Sequence, residues 1–289
     1  ESLEVCARMC FIRQFEFRVK RAYDEKHIKM PVYLSVGQES VATALSVAFP
    51  RVAIFAQHRA HDLYLAYGGD PRALADELLH RRSGCAGGMG GSASIHSPAI
   101  KMFGQSGLLG DQVPIATGYA QGSGKNTLCL FGDATAEEDY ALSSFGYAAT
   151  KKLPMLFVCV DNNLSILTTV NVRRSWNAAA VAAGSALPSV DIAADQCGLM
   201  HHARDPANPM PRFLHRRELS KKLPAFMNVR VVRHLWHAGT GKDNEPAWDR
   251  FALVRAELVR LGYAVDALEI ERREYARADA VWDAALAEK

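Results

Sequence analysis

The sequence has no apolar run long enough to span a bilayer, and its first residues lack the basic-then-apolar order of a secretion signal. A membrane-embedded protein is therefore not expected. Its six cysteines include no CxxC pair, which removes the usual spacing of zinc ribbons and dithiol redox sites. Four of them (Cys6, Cys10, Cys129, Cys159) lie in apolar periodic segments, where a thiol behaves as a small hydrophobe. That usage favours a reducing compartment, and a cytoplasmic location is expected. Neither sign of charge is in large excess: 34 Lys and Arg face 31 Asp and Glu, a net charge of +3. Without a stripe of basic and aromatic residues, a dedicated nucleic-acid binder is disfavoured. The two short HRR stretches (His80 to Arg82, His215 to Arg217) read as solvated helix faces. No GxGxxG follows an early strand with an acidic residue at the expected distance, so a plain nicotinamide-binding domain is disfavoured too. Internal repeats and low-complexity linkers are absent.

What is present is an alternation of helical and strand-like segments in a chain long enough to bury a substantial core. Residues 2 to 27 have helical spacing, with Leu3, Cys6, Cys10 and Phe17 on one face, and a second helix is predicted from about Glu39 to Val47. Arg51 to Ala56 reads as a short apolar strand. In GGDPRALADELLHRR, Asp70 is placed to cap a helix that begins at Pro71, with Leu74 and Leu78 four apart. Two glycine-rich stretches follow, SGCAGGMGGSASIHS and GQSGLLGDQVPIATGYAQG, the second opening into a helix near Gln112. NTLCLFGD and LPMLFVCVD read as buried strands on either side of an amphipathic helix, and Phe226 to Arg233 as another strand. HLWHAGTGKDNEP reads as a polar loop and the tail from Trp248 as helical, while residues 184 to 224 show no clear period. Continuous apolar strands alternating with helices predict an α/β fold with a mostly parallel sheet flanked by helices on both faces.

Two of these strands stop on oxygen-bearing side chains. One ends on Gly132-Asp133 and the other on Asp161-Asn162-Asn163, with Asn162 lying 29 positions after Asp133. In an open parallel sheet, ligands sit beyond the carboxyl ends of the strands, so the two endings can converge. A carboxylate, an amide oxygen and a backbone carbonyl are hard ligands suited to magnesium or calcium, and magnesium usually completes its shell with phosphate oxygens and water. The pair therefore suggests a metal-bound diphosphate. A plainer reading has Asp133 capping the next helix and Asp161 to Asn163 forming a turn.

Further segments bear on that choice. HRAH (His58 to His61), GCAGGMGGSASIH, GLLGDQVPIATG and KKLPMLFVCVDNN occur in this order. They resemble, respectively, YRAHG, GxGGSMH, GIVGAQVPLAxG and the second cofactor-site strand of the alpha subunit of thiamine-diphosphate-dependent 2-oxo acid dehydrogenases, the decarboxylating component of the pyruvate and branched-chain complexes. The resemblance runs from about Val52 to Gly239 and includes the spacing between the family's GDG and NN. It implies a thiamine-diphosphate-binding fold, here its diphosphate-anchoring domain, over residues 1–289, with helical extensions at both ends. It also implies magnesium held by Asp133, the side chain of Asn162 and the backbone carbonyl of Leu164, with Asn163 as the competitor of Asn162. Arg59 matches an arginine on the diphosphate, where a planar fork suits phosphate oxygens. His58 stands for the tyrosine beside it, and Gly132 and Ala134 flank Asp133 in the motif.

By the same resemblance, Gly107 and Leu109 meet the aminopyrimidine ring, with Leu108 or Leu109 at the cofactor's bend. Arg233 and His237 match an arginine and an active-site-loop histidine near the reacting centre; His61 and His96 match positions close by, and His61 and His237 are the candidate catalytic residues. Each has a plain alternative as a packed turn, a solvated loop side chain, a cap or a loop filler. The implied chemistry is decarboxylation of a 2-oxo acid, with the acyl or aldehyde unit passed on. The family draws a glutamate that activates the cofactor from a beta subunit. A beta-type partner in an alpha2beta2 heterotetramer is thus implied, with a lipoyl acyltransferase downstream if the oxidative chemistry is retained.

The chain departs from the family at Ala134 (for the last Gly of GDG), Ser143 (for Glu) and Gly146 (for Asn), and WHAGTGKD replaces the HGHS phosphorylation loop. These changes bear on regulation by phosphorylation, on communication between paired sites and on the substrate. Two other classes stand beside this reading. DNNLSI also resembles DNxxSI of transketolases, which suggests the cofactor-anchoring half of a split transketolase-like enzyme, and a non-catalytic scaffold would tolerate the departures. HRAH and GLLGDQVP favour the dehydrogenase reading over the first; intact Asp133, Asn162 and Arg59 argue against the second.

Overall fold

The computed structural model describes residues 2–192, 223–239 and 249–288. The first part runs α1 (Ser2–Asp24), α2 (Glu39–Ala48), β1 (Ala53–Gln57), α3 (His61–Ala66), α4 (Pro71–Leu78), β2 (Met102–Ser106), α5 (Gln112–Ser123), β3 (Thr127–Gly132), α6 (Asp139–Lys151) and β4 (Met155–Asp161). A small hairpin of β5 (Leu164–Ser165) and β6 (Thr168–Thr169) comes next, then α7 (Val170–Arg173), α8 (Ala178–Gly184), β7 (Ser189–Ile192) and β8 (Ala225–Arg230). Two helices complete the order, α9 (Arg250–Arg260) and α10 (Ala264–Ala287).

Among the described residues the main sheet has six strands in the order β2-β1-β3-β4-β8-β7, and every pairing is parallel. Residues alternate between its faces with the two-residue period of a strand. Ile54, Leu128, Leu130, Leu156, Val158 and Met227 join Phe15, Leu45, Leu63, Leu74 and Trp282 on one face. Phe55, Cys129, Phe131, Phe157 and Phe226 join Val113, Phe145 and Ala182 on the other. A sheet covered on both sides needs apolar residues at every position, which is why its central strands read as unbroken hydrophobic runs.

Local chemistry accounts for several boundaries. Asp70 accepts the backbone N–H of Arg72 at 2.9 Å and Pro71 opens α4, as expected from the sequence. Gly110 has φ +78, and a Cβ there would lie 2.9 Å from the Tyr140 ring, so the sharp turn from Leu109 into α5 requires glycine. The expected apolar face of α1 is corrected at Phe17, which is 41% exposed. Val5, Cys6, Met9 and Cys10 are sealed by Phe251, Val254 and Leu258 of α9, whereas the second half of α1 buries Phe15 and Val19 against the main core. The strand expected over Phe226 to Arg233 ends at Arg230, and β2 and β7 are additional strands at the sheet edges. Most of the aperiodic 184–224 stretch, and residues 240–248 of the expected polar loop, lie outside the described residues. Among the described residues no helix is long and apolar enough to cross a membrane. Cys6, Cys10, Cys129 and Cys159 are buried free thiols, while Cys197 lies outside the described residues.

Candidate functional site

From β1 the chain passes to β2 on one side, then returns to β3 on the other, so a topological switch point opens between the carboxyl ends of β1 and β3. A solvent-open cleft lies there, with about 580 Å³ of space inside it, open solvent included. The end of β1 contributes Gln57, His58 and Arg59, the end of β3 contributes Gly132, Asp133 and Ala134, and the segment after β4 contributes Asn162 and Leu164. Leu109, Arg233 and His237 complete the sequence-predicted residues on its walls.

Three predicted residues lie elsewhere. Gly107 is exposed and outside the lining. His61 is fully buried, with Nδ1 3.1 Å from Glu16 Oε1 and Nε2 2.9 Å from Ser92 Oγ, so its ring is engaged within the core rather than presented to the cleft. His96 is exposed and is also outside the lining. Of the two leucines considered for the apolar contact, Leu109 lines the cleft and Leu108 is 68% exposed.

Asp133 caps no helix: neither the 3-10 turn at Thr135–Glu137 nor α6 has a side-chain cap. The carboxylate is 2% exposed, and its Oδ2 accepts from the Arg173 guanidinium. Burial raises the pKa of Asp133, the Asp161 charge adds to that, and Arg173 opposes both. Arg173 also donates to Glu137 at 3.1 Å, while Arg174 donates to the Asp133 carbonyl at 2.8 Å and to Glu137 at 3.0 Å.

The segment after β4 does form a turn. Asn163 N–H donates to Asp161 Oδ1 at 2.9 Å and Leu164 N–H to Asn162 Oδ1 at 3.0 Å. Asn163 takes φ +67 and its side-chain oxygen accepts from Val170 N–H at 3.3 Å, away from the cleft that Asn162 lines. Ile166, in the tight turn between β5 and β6, has φ +54, a strained value for a β-branched residue. Arg233, 2% exposed, holds its carbonyl at 2.6 Å.

On the opposite wall, Arg59 donates to the carbonyl of Leu34 and, at 3.0 Å, to that of His237. The ring centroids of Tyr33, His58 and His237 lie 4.7 to 5.6 Å apart. Burial, followed by Arg59, His237 and Arg233, pushes His58 down to about 2, so its imidazole is neutral near pH 7. Asp62, which stands where YRAHG has its glycine, lines the cleft as well, and burial followed by the Glu16 charge pushes it up to about 8. Its Oδ1 accepts from Leu63 N–H at 2.8 Å and from Ser35 Oγ at 3.1 Å.

Sequence reasoning missed Gln57, Asp62, Thr135 and Arg173. Asp62 adjoins the HRAH motif and was the most discoverable; Arg173 meets Asp133 across 40 positions and left no local signal.

The cleft thus combines a buried carboxylate, an amide oxygen and guanidinium groups at a switch point. Among the described residues no three His, Cys, Asp or Glu side chains gather as a metal cluster, so a cation here would draw on amide, carbonyl and phosphate oxygens as well as Asp133. Comparison with known proteins bears on the same region. The chain is 36% identical over 177 residues to the pyruvate dehydrogenase E1 component subunit alpha of Zymomonas mobilis, covering 59% of this chain and 50% of that protein. It is 35% identical over 167 residues to the mitochondrial subunit alpha of Chaetomium thermophilum, covering 56% of this chain and 40% of the relative. For the somatic mitochondrial form of Rattus norvegicus the identity is 32% over 176 residues, covering 59% and 45%. The aligned stretches span half or less of the length of these relatives. A model of the dehydrogenase E1 component matches residues 7–238, which include every cleft residue described above, and the chain therefore belongs to the dehydrogenase E1 component family.

Proposed function

We propose that this chain is the alpha-type subunit of a heteromeric thiamine-diphosphate-dependent enzyme that decarboxylates a 2-oxo acid and passes on the acyl or aldehyde unit. The observation that carries the reading is that β1, β3 and β4 end side by side, so that Arg59, Asp133 and Asn162 line one cleft. The donor set fits a magnesium diphosphate. Asp133, the Asn162 side chain and the Leu164 carbonyl would hold the metal, and Arg59 would meet the phosphate oxygens. A buried amide donor of Gln57 without a partner among the described residues is a further sign of a ligand on this wall.

When bound, thiamine diphosphate supplies the carbon nucleophile and the electron sink for loss of carbon dioxide. Residues of this chain anchor and orient. Arg59 and Arg233 would offset the phosphate charge, Leu109 would provide apolar contact, and neutral His58, with His237 beside it, would meet a proton or a carbonyl oxygen. A beta-type subunit in an alpha2beta2 assembly would close the cleft, and a lipoyl acyltransferase would take the acyl unit. A cytoplasmic location suits the free buried thiols. The split transketolase-like and scaffold readings are not favoured, since the matching family and the relatives are dehydrogenase components.

The test is calorimetric titration of thiamine diphosphate with magnesium or with EDTA, on the chain alone and mixed with its beta-type partner. Tight binding only with magnesium and partner is the expected result. Absence of binding in both samples would overturn the reading.

A further inference from the structure

Gln57 is the last residue of β1 and is 5% exposed. Its carboxamide is not free to turn. Thr135 Oγ donates to Oε1, and the N–H of Gly132 approaches the same oxygen at 3.4 Å. The Gly132 N–H can only donate, so the oxygen faces it and the NH₂ faces the other way, while the Thr135 hydroxyl, able to donate or accept, donates to the same oxygen. That nitrogen is buried, has no hydrogen-bond partner among the described residues, and belongs to a side chain that lines the cleft. A buried amide donor left unmade is costly, and native structures keep few of them unless a ligand or water completes them.

Its position limits what the acceptor can be. The locked oxygen touches Gly132, the residue immediately before Asp133, so the side chain stands on the same stretch of cleft wall as the proposed metal-diphosphate residues. An anionic phosphate oxygen is the strongest acceptor that such a place can receive. Resting on the function proposed above, we infer that Gln57 is an additional diphosphate-binding residue of this chain, with Thr135 as the positioning residue that fixes its amide. The Thr135 hydroxyl, itself at the cleft wall, aims Gln57.

The experiment uses the full-length chain with its beta-type partner and two probes in the presence of magnesium, thiamine diphosphate by calorimetry and inorganic pyrophosphate by competition. Gln57→Leu keeps the bulk and removes the donor. It should weaken both probes by about tenfold or more, as expected for a hydrogen bond to a charged group. Thr135→Val, which frees the amide, should weaken both by a smaller factor while leaving the magnesium requirement intact. Unchanged affinity in Gln57→Leu would overturn the inference. So would weakened thiamine diphosphate with unchanged pyrophosphate, because the contact would then not be to phosphate. If Gln57→Leu does not fold, judged by circular dichroism, Thr135→Val decides: equal affinity for both probes in that variant and the parent overturns the assignment. A parent that binds neither probe removes the functional reading itself, whereas a parent that binds both while the variants match it removes Gln57 alone.

Discussion

Asp133 sits at the end of a buried strand, at the cleft wall, with one carboxylate oxygen engaged by Arg173. Asp133→Ala should abolish magnesium-dependent binding of thiamine diphosphate in a calorimetric titration, and retained affinity would remove Asp133 from the metal site. Asp62 makes a different prediction, about pH. Its carboxyl loses a proton near 3.8 in the unfolded chain but near 8 in the fold, where burial and then Glu16 disfavour the charge. Between those values the native state holds the extra proton, so Asp62 makes stability fall as pH rises from about 4 to 8. Asp62→Asn keeps the shape without the titration. The melting-temperature advantage of Asp62→Asn over the parent should therefore grow from pH 5 to pH 8, and a pH-independent difference would show that Asp62 ionises normally. These two residues also mark the limits of sequence reading. Asp133 was legible because an apolar run ended on it, whereas nothing in the neighbouring letters says that Asp62 is buried beside Glu16.

At the scale of elements, α7 is fastened by charge more than by burial. Val172 is 73% exposed, and the helix is tied through Arg173 to Asp133 and Glu137. Removing the cation leaves Asp133 buried without its main counter-charge, at a cost of up to about 3 kcal/mol. Arg173→Gln should accordingly lower the melting temperature in EDTA, and magnesium should restore more stability to this variant than to the parent. Equal magnesium shifts in the two proteins would show that metal and guanidinium do not share the carboxylate. The central strands and the Asp70 cap were legible because their signals are local: unbroken apolar residues, or a capping side chain next to proline. Edge strands β2 and β7 were not, since each buries only part of its length and so presents no apolar run. The turn at Asp161 to Asn163 was expected as an alternative to a ligand site; the geometry shows the turn itself holding Asn162 at the cleft wall.

Among the described residues an apolar layer covers each face of the sheet, and α10 closes the larger one. Trp282 is fully buried, with its ring centroid 5.4 Å from that of Phe15. Its indole N–H has no partner among the described residues, so Trp282→Phe should be tolerated, whereas Trp282→Ala should cost about 3–5 kcal/mol in denaturant unfolding. A loss below 1 kcal/mol for the alanine variant would mean that α10 is not integral to the core. The all-parallel sheet has a consequence of another kind. Ala53 must find Thr127, and Leu156 must find Ala225, before the strand ends that shape the cleft stand side by side. Such long loop closures are slow to form, and no partly assembled intermediate owns the pocket. A ligand of this cleft therefore recognises only finished molecules and draws the folding equilibrium toward them, by about 2.7 kcal/mol at a hundredfold excess over its dissociation constant. Were that ligand the cofactor proposed above, its supply would also govern how long the folded polypeptide escapes proteolysis.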